Sequence, residues 1–214
     1  MTQPETEIRA AWRHIAGPHH DGYIDDVLIR YAEPHRHYHT ATHIMFVLRH
    51  LREVAQTSAE QPSSEVIAAA LYHDAIYDPR VADNEERSAV LAVADLGAID
   101  WSADRCETVA ALIVATASHL AEPVAAGPVT DTAMLVDADL AILGADPGAY
   151  QAYADGVRAE YSHVDDEQWS IGRAAVLHRF LGRDRLFFTD YMHAALEHRA
   201  RANIGAELAA LRAG

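Results

Sequence analysis

Val66-Ile-Ala-Ala-Ala-Leu-Tyr-His73-Asp74-Ala-Ile-Tyr77 is apolar almost all round, yet it carries a histidine and an aspartate. A helix that is hydrophobic on every face belongs at the centre of a bundle. Two further stretches read the same way. Val109-Ala-Ala-Leu-Ile-Val-Ala-Thr-Ala-Ser-His119-Leu120 holds His119, and Ala133-Met-Leu-Val-Asp137-Ala-Asp139-Leu-Ala-Ile-Leu143 holds Asp137 and Asp139. An unpaired carboxylate in such surroundings is strongly disfavoured, so the aspartates need compensation. A divalent metal bound by imidazole nitrogen and carboxylate oxygen supplies it economically.

Working outward, turn signals at Gly17-Pro18, Asp78-Pro79, Gly127-Pro128 and Asp146-Pro147-Gly148 separate segments with helical patterning. The pattern predicts helices near 3–16, 21–32, 38–56, 64–77, 84–97, 102–119, 129–143, 148–162, 166–181 and 189–212. Alternating β-type runs, repeats and Gly/Ser linkers are missing, so one all-α domain over 1–214 is expected. The outer helices, 3–16 and 189–212, mix charge with apolar residues and should lie at the periphery. Near 38–56, His43, Phe46, Val47, His50, Leu51 and Val54 repeat at helical spacing. That stripe turns His43 toward the core, with His39 one turn earlier.

Composition narrows the chemistry. Of 214 residues, 32 are acidic and 17 basic, a net charge of -15, which disfavours polymeric nucleic acid and anionic membrane surfaces as partners. Every basic residue is arginine. Fourteen histidines against one cysteine exclude a disulfide framework and a cysteine-rich zinc site, and point to N/O metal chemistry or proton transfer. No apolar run has the length of a membrane span, and 1–17 lacks a signal-peptide core, so a cytoplasmic setting is expected.

His43, the His73-Asp74 pair and an aspartate within Asp137-Ala-Asp139-Leu140 together resemble the H…HD…D signature of the HD-domain superfamily. Its members are metal-dependent phosphohydrolases on an all-α fold. Tyr31-Ala-Glu33-Pro34-His-Arg36-His-Tyr38-His39, Asn84-Glu85 with Ser88, and Asp137-Ala-Asp139-Leu-Ala-Ile-Leu-Gly144 are similar to a bacterial family of predicted HD-superfamily phosphohydrolases. So are Arg158-Ala-Glu160-Tyr161 and Ala200-Arg201-Ala-Asn203. The resemblance implies an HD-type helical bundle with additional peripheral helices.

It also implies metal ligation by His43, His73, Asp74 and one late aspartate. The motif favours Asp139, because Asp137 lies about 200° away around an ideal helix. Asp137 is then expected to orient a ligand or hold a helix end. One divalent ion (Mn, Fe, Co, Ni, Zn or Mg) is expected, with a second where further histidines such as His119 serve as ligands. His119 is expected to contact phosphate or act as a general acid, and Asp74 to hold the attacking water. Lacking lysine, the chain must clamp phosphate with arginine, Arg36 first and Arg158 second. His39 and Glu85 complete the expected substrate contacts. The expected substrate is a small phosphorylated metabolite or nucleotide. An HD-fold di-iron oxygenase and a non-catalytic, metal-stabilised module are the alternatives.

Overall fold

A computed structural model describes residues 2–58, 61–119 and 130–213. Among them are ten α-helices and two short 3-10 segments, and no strand. The helices are α1 (Gln3–Ala16), α2 (Asp21–Tyr31), α3 (Ala41–Ser58), α4 (Ser64–Tyr72) and α5 (Asn84–Ala98). They continue with α6 (Ala103–Thr116), α7 (Asp131–Leu140), α8 (Pro147–Glu160), α9 (Asp166–Leu181) and α10 (Asp190–Ala213). The expected all-α fold is therefore present. Its starts are set by side-chain caps: Thr2 for α1, Ser63 for α4, Thr130 for α7, Asp146 for α8 and Asp165 for α9. Each accepts a backbone N–H that the first turn leaves unpaired.

α4 is the hub. It packs against α1, α3, α5, α6 and α7, which accounts for the burial of Val66 and of every residue from Ala68 to Tyr72. α7 is buried nearly throughout, as its composition requires. α6 is one-sided instead: Val109, Leu112 and Ile113 face the core while Val114 is exposed. α3 is rotated from the expected stripe. Its buried face is His43, Ile44, Val47, Leu48, Leu51, Val54 and Ala55, whereas Phe46 is exposed beneath the Arg49 guanidinium. The rotation follows from α3 being wedged between α1 and α7, which widens its buried face toward Ile44 and Leu48.

Three expected helices, those over 64–77, 102–119 and 129–143, end early, and all three truncations shape the site. The helix expected to reach 77 stops at Tyr72, so His73 and Asp74 stand in the turn beyond it. Its last carbonyls have side-chain partners in place of further helical N–H groups. Tyr31 Oη donates to Leu71 O at 3.0 Å, and Arg36 donates to Asp74 O at 2.7 Å and Ala75 O at 3.1 Å. Ser88 Oγ accepts from Ile76 N at 2.9 Å, completing the diversion.

The helix expected over 129–143 becomes 3-10 at Ala141–Gly144, where α10 clamps it. Asn203 Nδ2 donates to Leu143 O and Ala145 O, each at 2.9 Å, and Arg199 donates to Gly144 O. Gly144 lies against the α10 backbone. A Cβ there would meet Leu196 Cβ at 2.6 Å and Leu196 O at 3.0 Å. Gly144→Ala is therefore expected to lower stability by about 2 kcal/mol through overpacking, read as a lower urea midpoint at unchanged slope. No helix among the described residues is long and apolar enough to cross a membrane.

Candidate metal centre

Three elements converge on one point. α3 contributes His43, the turn after α4 contributes His73 and Asp74, and α7 contributes Asp139. His43 Nε2 lies 3.3 Å from His73 Nε2 and 3.1 Å from Asp139 Oδ1. His73 Nε2 lies 3.6 Å from the same oxygen and 3.2 Å from Asp74 Oδ2, and His43 Nε2 lies 3.5 Å from Asp74 Oδ2. One donor atom each from His43, His73 and Asp139 falls within 4.8 Å of the others. Both histidines are buried.

These residues fit a divalent cation. The donor set is two imidazole nitrogens and carboxylate oxygen, suited to first-row metals. His73 Nδ1 lies 3.1 Å from Ala70 O, so an Nδ1–H there points at a carbonyl and Nε2 is the atom turned toward the cluster. Within the cluster itself, imidazoles and carboxylates attract one another. Burial disfavours the charged form of His73, but Asp74 and Asp139 outweigh it and hold its pKa well above the usual range. Burial likewise opposes ionisation of Asp139, yet hydrogen bonds from His119, His43 and His73 hold it well below the usual carboxylate range. Asp74 is lowered in the same way, chiefly by His73 and His39 acting against burial.

The two aspartates of α7 part company as expected. Asp137 is fully buried and turned away from the cluster. Its carboxylate accepts from Phe188 N and Thr189 N, each at 2.7 Å, and so holds the chain entering α10. Burial pushes it up to about 6 despite these bonds.

His119 lies beyond the end of α6, not within it, with a left-handed φ of 50°. That conformation is unfavourable for a side chain carrying Cβ and persists only where neighbours enforce it. Arg183 Nη1 holds the His119 carbonyl at 2.8 Å, and the ring reaches Asp139 Oδ2 with Nε2 at 3.1 Å. The ring is one-third exposed and opens on a cavity of about 910 Å³. His73, Asp74 and Asp139 also line this cavity, as do His39, Glu85 and Asn84. Burial raises the pKa of Glu85. Asn84, at the start of α5, pairs both ways with the backbone of Asp78 and ties down the loop after the His-Asp turn.

Both expected phosphate clamps are corrected. The Arg36 side chain has no solvent exposure, and its guanidinium is occupied by Glu33, His39 O, Asp74 O and Ala75 O. It braces the His-Asp turn and cannot reach a ligand. Arg158 is held by Tyr161 O, Val164 O and Asp166, and it stands outside the cavity lining. The arginines that do line the cavity are Arg173, Arg179 and Arg183. Sequence reasoning missed them because α9 and the turn after it carry no motif. The absence of lysine was the usable signal, since it reduced the search to 17 arginines.

Glu160 was also missed as a functional position. It is buried at the end of α8, and Oε1 accepts from His37 N, Tyr38 N and His39 N at 2.8, 2.7 and 2.9 Å. Oε2 meets His39 Nδ1 at 2.7 Å and Tyr77 Oη at 2.9 Å. One carboxylate thus anchors the loop before α3 and fixes the His39 ring, which lies 5.8 Å from that of His43. The close approach requires Gly156, where a Cβ would lie 3.2 Å from Tyr38 Cβ. No family model matches the chain, and no curated protein or solved structure matches it either.

Proposed function

We propose that the protein is a metal-dependent phosphohydrolase of the HD type, acting on a small phosphorylated metabolite or nucleotide. The observation that carries this reading is the meeting of His43, His73, Asp74 and Asp139 at the wall of a ligand-sized cavity. These four residues would hold one divalent ion. Bound there, such an ion supplies a water acidified toward neutrality and polarises a phosphoryl oxygen.

The chain's own groups do the rest. Asp74 offers an ionised carboxylate that can hold and orient the attacking water. His119 presents a partly exposed ring beside Asp139, in position to give a proton to a leaving oxygen. His39, fixed through Nδ1 by Glu160, keeps its Nε2 for the substrate. With its single cysteine, Cys106, buried and unpaired, a reducing cytoplasmic setting belongs to the same proposal.

The test is to strip the purified protein of metal and reload it separately with Mn, Fe, Co, Ni, Zn and Mg. Each form is then assayed against a panel of phosphomonoesters and nucleotides. Phosphate release with at least one ion, abolished by chelation, is expected. Metal binding without release under any ion would refute the reading, and two irons per chain would favour the oxygenase alternative.

A further inference from the structure

We propose that Arg179 and Arg183 form a second anion subsite, which holds a remote phosphate of the substrate while the reacting phosphate lies at the His-Asp cluster. This inference rests on the phosphohydrolase reading and narrows its substrate class to esters carrying two separated phosphates.

The argument begins with charge. Asp74, Glu85 and Asp139 all line the cavity, in a chain whose net charge is -15. A polyanionic ligand entering it needs cationic groups on the far wall. Of the three arginines there, Arg173 is committed. It forms a two-pronged ion pair with Glu207, at 2.7 and 3.1 Å, and donates to Tyr153 Oη at 3.2 Å. Arg179 and Arg183 are different. Arg179 is exposed on α9 and has no hydrogen-bond or ion-pair partner among the described residues. Among the described residues Arg183 donates only to carbonyls, those of His119 and Ser118, at 2.8 and 3.1 Å. A guanidinium has five N–H donors, so Arg183 retains several for a ligand.

No described carboxylate pairs with either arginine, in a chain where acids outnumber bases 32 to 17. Elsewhere in the chain, arginines such as Arg13, Arg49, Arg105 and Arg185 pair with acids. The two cavity arginines instead repel one another. Burial, reinforced by the charge of Arg179, lowers the pKa of Arg183. Two like charges held near each other without a counter-charge are mutually destabilising, and a bound phosphate, matched to the planar guanidinium fork, relieves that repulsion.

Geometry makes the subsite remote from the cluster. The Phe180 ring lies 4.7 Å from the Arg183 guanidinium and 6.1 Å from the His119 ring, which itself touches Asp139. His119 and Phe180 thus link Asp139 to Arg183 by a chain of contacts. A ligand with two separated phosphates would place one at the cluster and the other at Arg179 and Arg183.

The first experiment uses metal-free protein in EDTA, titrated calorimetrically with inorganic pyrophosphate. Wild type is expected to bind, and Arg179→Glu to bind at least about tenfold more weakly at unchanged thermal midpoint. Equal affinity in the two proteins, or no binding by wild type at millimolar ligand, would overturn the subsite. The second compares adenosine 3′,5′-bisphosphate with adenosine 5′-monophosphate on metal-loaded protein. Wild type should prefer the bisphosphate by at least about tenfold and Arg179→Glu should lose that preference. Equal affinity of wild type for the two nucleotides would overturn the remote placement. Arg179-dependent pyrophosphate binding in a protein that releases no phosphate from any ester would remove the hydrolase reading while leaving the anion subsite standing.

Discussion

Asp139→Ala is expected to abolish retention of the divalent ion and to lower phosphate release by at least about a thousandfold, on the order of 4 kcal/mol of transition-state stabilisation. The size of the effect follows from what this one carboxylate touches. Oδ1 faces both His43 and His73, at 3.1 and 3.6 Å, and Oδ2 faces His119 at 3.1 Å. Its loss removes an anionic ligand and frees the ring proposed to protonate the leaving group. It also leaves Asp74 alone to offset the buried histidines.

Metal per chain measured by inorganic mass spectrometry, together with the thermal shift on adding metal, checks the outcome. Binding to the native state raises the wild-type midpoint, and the variant should show no such rise. Asp137→Asn provides the contrast. It should keep the metal and lose stability, because Asp137 serves Phe188 N and Thr189 N and not the cluster. Normal metal content and turnover in Asp139→Ala would refute the centre as described.

Glu160→Gln is expected to cost about 3 kcal/mol at pH 7, comparable to breaking a buried charged network. The carboxylate accepts three backbone N–H groups and meets His39 and Tyr77 as well. An amide keeps one accepting oxygen and sets an NH2 group against two partners that prefer to donate. The pH dependence has a definite sign. Burial alone would raise the Glu160 pKa, but the bonds and charge from His39 and the backbone N–H groups of His39 and Tyr38 bring it down from 4.5 to about 2.

A lowered carboxylate pKa stabilises the fold fully above its unfolded value, and this contribution disappears as pH falls through the folded value. The stability difference between wild type and Glu160→Gln should therefore be full at about pH 5 to 6, shrink toward zero near pH 2, and fall again as His39, raised against burial by Asp74 and Glu160, loses its proton at higher pH. Urea denaturation across that range measures it. A difference independent of pH would show that Glu160 acts by packing alone.

The helices were legible because their determinants are local. Ser63, Asp146 and Asp165 act as caps as their residue types suggest, and the apolar density of 66–77 and 133–143 correctly predicts central helices. Periodicity was less informative at helix ends and edges. It extended α4 through His73 because Tyr31 and Arg36, which terminate it, lie about forty positions earlier in the chain. It placed Phe46 inside because a stripe gives a helix face only to within the angle that its neighbours select.

The sequence by itself determined the helical architecture, the set of buried groups that a metal would reconcile, and the separation of Asp137 from Asp139. The last needed only the 100° step of a helix. Tertiary structure alone decided the tasks of long, flexible side chains. Arg36 is adjacent in sequence to the histidine-rich loop, yet its reach carries it inward to helix carbonyls. Arg179 and Arg183 stand far along the chain from every metal ligand, yet they meet the cavity. Backbone periodicity constrains where a Cβ points. The partner met by a guanidinium several bonds further out depends on which helices the fold brings alongside.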